Sequence, residues 1–188
     1  MIEEKILEVT NYELNNLPTT FINEWYDVLK INHEPGYFHF ESGREHYRLL
    51  MYISILYSNE IIFDVGTNKC MSALSLSYNK QNKVKTFDVI KVLPENPKVD
   101  NIEYVIGDAT TDKSIKNTPF IFLDVDHDGL YEKKIYDYLI SINWKGLLLL
   151  DDIHLNTPMK DFWNKISKKK YDITHIGHWS GTGLVVFQ

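Results

Sequence analysis

Six aspartates carry the chemistry legible in this chain. Asp64, Asp88, Asp124 and Asp151 each close a short strand-like run (IIFD, VKTFD, FIFLD, LLLLD), Asp108 follows another run after one glycine, and Asp152 follows Asp151 directly. An ionised carboxylate accepts hydrogen bonds from ligand hydroxyls and amines. One aspartate in such a place as readily caps the next helix or closes a turn. Five at the ends of successive runs are poorly explained by capping, because ligands of open α/β sheets bind at the carboxyl ends of the strands. Asp88 lies 24 residues after Asp64, where nucleotide-binding sheets hold the acid that takes ribose hydroxyls. The turn after the first run, Gly66-Thr67-Asn68-Lys69-Cys70, has one glycine. It is therefore not the GxGxxG that a dinucleotide pyrophosphate needs. Gly66 itself is needed, because a residue without a Cβ takes positive φ and lets a ligand reach the backbone.

The elements that must position these acids alternate. Strands are predicted at 61–65, 84–88, 102–106, 120–124 and 147–151, with helices near 69–79, 131–142 and 158–168, and a closing hairpin over 172–177 and 183–187. Alternating strands and helices give parallel βαβ units. The fold class is α/β: a Rossmann-like, mostly parallel sheet with helices on both faces, seven strands, a terminal antiparallel hairpin and an N-terminal helical extension. Residues 1–36 read as helical, Pro18 opening a helix through Val28, Leu29 and Ile31 and Pro35-Gly36 ending it. Tyr37-Phe38-His39-Phe40 reads as exposed, and Ser42 with Glu45 as the capping box of a second helix. A length of 188 residues suits one domain, with 1–58 as a helical cap and substrate region and 59–188 as the cofactor-binding core.

A net charge of −6 argues against a nucleic-acid partner. The one cysteine, Cys70, excludes an intramolecular disulfide. No apolar run reaches the roughly 18–20 residues that span a bilayer, and the acidic first residues do not resemble a signal peptide. A cytoplasmic protein without membrane partners is expected, with a homodimer open through the apolar N-terminal helix.

The segment DVGTNKCMSALSLS (64–77) resembles the first motif of class I S-adenosylmethionine-dependent methyltransferases, in the small-molecule O-methyltransferase form: acidic-x-Gly-Thr-x-x-Gly-x-Ser-Ala-Leu. Cys70 stands at the second glycine, where a positive φ would be disfavoured. FLDVDHDGLYE (122–132) resembles the strand-four motif D-x-D-H-x-x-x-E, and GLLLLDDIH (146–154) the strand-five motif, with Lys145 in place of its first glycine. The resemblance covers about residues 45–188.

It implies that Asp64 and Gly66 hold the amino-acid end of S-adenosylmethionine, Asp88 the ribose hydroxyls, and Asp108 with Ala109 the adenine, with Thr67 and Ser72 of the first motif also binding the cofactor. In the metal-dependent members, it implies that Asp124, Asp151 and Asp152 bind a divalent ion such as Mg²⁺. Three carboxylates are hard donors suited to that ion, and a metal-bound hydroxyl ionises more readily. Asp151-Asp152 could instead act as a loop cap and base without metal. Asp124, His127 and His154 are the catalytic candidates. Either histidine could take the hydroxyl proton, or only hydrogen-bond a nearby carboxylate. His175, His178 and Trp179, with Tyr37, Phe38, His39, Arg44 and His46, could line a cleft for a sugar-like or other hydroxylated acceptor, or simply pack. A non-catalytic cofactor-binding sensor or scaffold and a nucleotide-dependent oxidoreductase are the alternatives.

Overall fold

The predicted strands form one sheet. The computed structural model describes residues 1–25, 37–92 and 95–188. In chain order the elements are α1 (Ile2–Glu8), α2 (Asn11–Asn15), 3₁₀ turns at Thr19–Trp25 and Tyr37–His39, α3 (Tyr47–Leu56), β1 (Ile61–Val65) and α4 (Met71–Leu76). Then come β2 (Lys83–Asp88), β3 (Ile102–Ile106), β4 (Phe120–Leu123), α5 (Leu130–Ser141), β5 (Gly146–Asp151), α6 (Thr157–Lys165), β6 (Lys169–Asp172) and β7 (Thr182–Phe187). The order across the sheet is β3-β2-β1-β4-β5-β7-β6. All pairings are parallel except β5 with β7 and β6 with β7. No helix among the described residues is long and apolar enough to cross a membrane.

Side chains alternate across a strand, and both faces are covered. Ile62, Val84, Phe120, Phe122, Leu147 and Leu149 pack in one layer with α1, α3 and α4. Phe63, Val65, Phe87, Ile121, Leu123, Leu148 and Leu150 pack in the other with α5 and α6. Counted in twos, Asp64, Asp88, Asp124 and Asp151 share the parity of the first set. The acids therefore belong to the face on which α3 packs.

Four details differ from the sequence reading. First, the last pair of strands is β6 and β7, so 174–176 is a 3₁₀ turn rather than a strand. Helix α6 stops at Lys165 rather than near 168, and the run Lys168-Lys169-Lys170, whose charges would suit a helix end, leads into edge strand β6, a common place for lysine. Lys170 still caps the helix from there, donating to the carbonyls of Trp163 and Asn164. Second, α4 is six residues long, shorter than 69–79. Third, α3 starts at Tyr47 and not at Ser42. Gly43, at φ +83, turns the chain out of a helical path, and Ser42 instead bonds to the Asn11 and Asn15 side chains. Fourth, Phe38 is fully buried rather than exposed. The helix positions Val28, Leu29 and Ile31 and its end at Pro35-Gly36 lie outside the described residues.

Arg48 ties the N-terminal segment to α3. Its buried guanidinium donates to the carbonyls of Leu14, Asn15, Leu17, His39 and Phe40, at 2.8–3.4 Å. Arg48→Ala would leave these acceptors unpaired. We expect it to cost about 3 kcal/mol, which lowers the melting temperature by roughly 6–12 °C for a chain of this size. Arg48→Lys recovers only part of this, because an ammonium cannot span the fork. Thermal unfolding followed by circular dichroism measures both, and an unchanged midpoint would show that the clamp carries no weight.

Candidate active site

The site begins where β1 and β4 lie side by side. From β1 the chain winds outward through β2 and β3, and from β4 it winds the other way. Such a switch point opens a crevice at the carboxyl ends of the strands. Val65 and Leu123 are the last pair of β1 and β4, which brings Gly66 next to Asp124. Gly66 sits at φ +109, and a Cβ there would lie 1.6 Å from the Asp124 carbonyl oxygen. The junction is stitched by Gly66 and Thr67 N–H donating to Phe87 O at 2.9 and 3.0 Å, and by Asp124 N–H donating to Val65 O at 2.9 Å.

A cleft of about 320 Å³ opens here, lined by Gly66, Asn68, Asp88, Ile90, Gly107 and Tyr131, and also by Asp124 and His127. The Asp88 carboxylate accepts from the N–H groups of Asn68 (2.9 Å) and Ile90 (3.2 Å), which fixes its orientation. Val89, Ile90 and Val92 line the same cleft as exposed apolar side chains.

Beside the cleft lies a buried cluster of acids and imidazoles. Asp151 ends β5 and is 3% exposed. Its Oδ2 stands 3.4 Å from His46 Nδ1 and 3.2 Å from His178 Nδ1. His178 Nδ1 is also 3.3 Å from Asp152 Oδ1, and its Nε2 is 3.7 Å from Glu45 Oε2. His127 Nε2 bridges Asp124 Oδ1 (3.4 Å) and Asp152 Oδ2 (3.2 Å). Asp152 takes the left-handed conformation, at φ 60, and accepts from the Ser180 hydroxyl. The turn carrying His127 is held by its N–H on Glu132 and by Asn156 on its carbonyl.

Electrostatics follow from this crowding. Burial alone would raise the Asp151 pKa, but His46 and His178 outweigh it and hold the carboxyl well below the usual range. Burial opposes charge on His178 as well, yet Asp151 and Asp152 raise its pKa to about 10. Burial and the neighbouring Asp151 push Asp124 well above the usual carboxylate range.

No family model and no curated protein matches this sequence. Solved structures do match. The S-adenosylhomocysteine-bound methyltransferase PaMTH1 of Podospora anserina is 14% identical over 99% of this chain and 96% of its own, with a TM-score of 0.59. A SAM-dependent methyltransferase of Aquifex aeolicus is 13% identical over 91% and 98%, with a TM-score of 0.55. The O-methyltransferase TomG of Streptomyces achromogenes, in complex with SAM, is 12% identical over 76% and 79%, with a TM-score of 0.55. The chain has a methyltransferase fold.

Within this methyltransferase fold, Gly66, Asp88 and Asp124 meet at the cleft, and Asp124, Asp151 and Asp152 meet in the cluster. Asp64 lies beneath the rim, fully buried, with Oδ2 accepting from Thr86, which in turn pairs with Thr67. Burial pushes its pKa up to about 6, against the Thr86 hydroxyl. Ser72 is buried on the first turn of α4. Asp108 is occupied by Thr110, Tyr131 and Lys134, and Ala109 is fully buried, so Gly107 and Tyr131 line the cleft in their place. His154 bonds to Asp172 at 2.7 Å, away from the acid cluster, because β6 presents its last carboxylate there. Arg44 lies over the Phe40 ring, and His39 bonds to Thr19.

Cys70 does take a positive φ of 66, against its preference. Burial pushes its thiol up to about 12, which makes it an inert filler rather than a nucleophile. His46 and His178, which the sequence places only at a possible substrate rim, are members of the cluster, and Glu45, read there only as a helix cap, joins them.

Proposed function

We propose that the protein is an S-adenosylmethionine-dependent methyltransferase that methylates a hydroxyl of a small acceptor with the help of a divalent cation. The observation that carries this reading is that the cleft and the acid cluster share two residues, Asp124 and His127. A donor in the cleft and an acceptor at the cluster would then be neighbours, as an in-line displacement requires.

The donor set fits the cofactor. Asp88 offers a carboxylate to vicinal hydroxyls, Val89, Ile90 and Tyr131 offer apolar surface to a base, and the acids suit a sulfonium. When bound, S-adenosylmethionine supplies a methyl group already activated on sulfur. The cluster also fits a cation: Asp124, Asp151 and Asp152 would hold it, and a buried imidazole, that of His46, faces it without a hydrogen bond. When bound, a divalent ion lowers the pKa of a ligated hydroxyl. His127 is the residue placed to receive the acceptor proton at Nε2, which lies between Asp124 Oδ1 and Asp152 Oδ2. Trp179, 67% exposed beside His178, offers a ring face to the acceptor. A sugar-like or natural-product-like alcohol suits this rim.

Calorimetric titration with S-adenosylmethionine tests the reading. Micromolar binding is expected, weakened about tenfold or more by Asp88→Ala through loss of a charged hydrogen-bonding group. Folded protein that gives no heat with this cofactor, or that binds NAD(H) instead, would overturn it.

A further inference from the structure

Three carboxylates alone would make a hard oxygen site, and magnesium would suit it. The structure adds nitrogen. His46 comes from the residue before α3, on the face the four aspartates share, and is 2% exposed. It packs against Phe122 and Tyr47, with ring centroids 5.0 and 4.5 Å away. Its Nδ1 meets Asp151 Oδ2 at 3.4 Å outside hydrogen-bond geometry, and its Nε2 has no hydrogen-bond partner. A buried polar group without a partner is costly, and native structures rarely keep one without a reason. The reason is at hand, for His46, Asp124 and Asp151 each place a ligand atom within 4.8 Å of the others. Asp151, Asp152 and His178 do the same. Opposite ligands of one small ion stand about 4 Å apart, given metal–ligand bonds of roughly 2.1 Å.

We infer that His46 and His178 are ligands of the same cation as Asp124, Asp151 and Asp152, and that the site therefore selects a first-row transition ion over magnesium. Imidazole suits zinc, cobalt-like and iron-like ions, whereas magnesium prefers oxygen and retained water. The inference rests on the cation site of the proposed methyltransferase but not on its acceptor. The rival arrangement is that protonated His46 and His178 neutralise the acids by themselves and no ion binds.

Metal-stripped full-length protein is titrated with Co²⁺, Zn²⁺ and Mg²⁺ separately, by calorimetry and, for Co²⁺, by visible absorption. One equivalent of Co²⁺ is expected, with a visible band changed from that of the aqueous ion. His46→Gln and His178→Gln should each weaken Co²⁺ and Zn²⁺ binding by about 10–100-fold, as loss of a ligand or its support does, and alter the band. Mg²⁺ affinity should change about twofold or less, since oxygen donors hold that ion. His178 is less buried than His46, so His178→Gln decides if His46→Gln does not fold. A folded His178→Gln protein with unchanged Co²⁺ affinity and spectrum would overturn the inference, as would wild-type protein that takes up no stoichiometric ion. S-adenosylmethionine binding, measured in parallel, separates the two ideas. Cofactor binding without imidazole ligation removes only this inference, and imidazole ligation without cofactor binding removes only the methyltransferase reading.

Discussion

Gly66→Ala is expected to destabilise the protein by about 4 kcal/mol or more, enough to leave little folded chain and no cofactor binding. Two costs add. The residue sits at φ +109, which a side chain disfavours by roughly 1–2 kcal/mol. The added Cβ would also lie 1.6 Å from the Asp124 carbonyl oxygen, an atom fixed by the backbone and unable to rotate aside. Relief would require parting the ends of β1 and β4, and with them the Val65–Asp124 hydrogen bond of 2.9 Å. Gly107→Ala is the comparison, because a Cβ there meets nothing within 4 Å. It also has a positive φ, +153, so it should carry the backbone cost of roughly 1–2 kcal/mol without the clash. Urea unfolding of the two variants beside wild type reads the difference. A Gly66→Ala protein as stable as Gly107→Ala would mean that the strand ends do not meet as described.

Asp151→Asn is the second large effect, and it separates binding from chemistry. Asp151 stands between two imidazoles and holds both in place. Removing its charge takes away the carboxylate that both buried imidazoles face, leaving His178 only Asp152 and Glu45, at a cost of about 3 kcal/mol. Its side chain does not line the cofactor cleft. Cofactor affinity should therefore stay within about twofold, while methyl transfer to any hydroxyl that wild type accepts falls by about 10²–10⁴. Calorimetry gives the first quantity and transfer of a labelled methyl group the second. Parallel loss of both would place Asp151 in cofactor binding and sink its assigned role.

The fold was legible because its signals are local. A buried parallel strand is a short apolar run, and five such runs occur between residues 61 and 151, with helical patterns after the first, fourth and fifth. The errors were also local. A lysine run looks alike at a helix end and on an edge strand, and only the partners of Lys169 and Lys170 in β7 decide between them. Ser42 and Glu45 have the spacing of a capping box, yet Gly43 bends the chain between them.

The site was half legible. Asp124, Asp151 and Asp152 are neighbours because strand ends are neighbours, which the element order implies. His46 could not be placed, because its position depends on how α3 lies against the sheet. No pattern within residues 37–56 says that this ring meets Asp151 rather than solvent. His154 shows the converse: it is adjacent to the acid pair in sequence, but it is drawn off by Asp172.

The shared parity of Asp64, Asp88, Asp124 and Asp151 makes the rim a matter of odd and even. Adding one residue near the end of β4 would keep the strand hydrophobic and swing its acid to the layer of α5 and α6. Adding two would restore the facing and only lengthen the reach. Changes of chain length in these strands are thus tolerated in pairs, and any scheme for grafting this rim onto another sheet has to preserve the count modulo two before it considers the identity of a single neighbour.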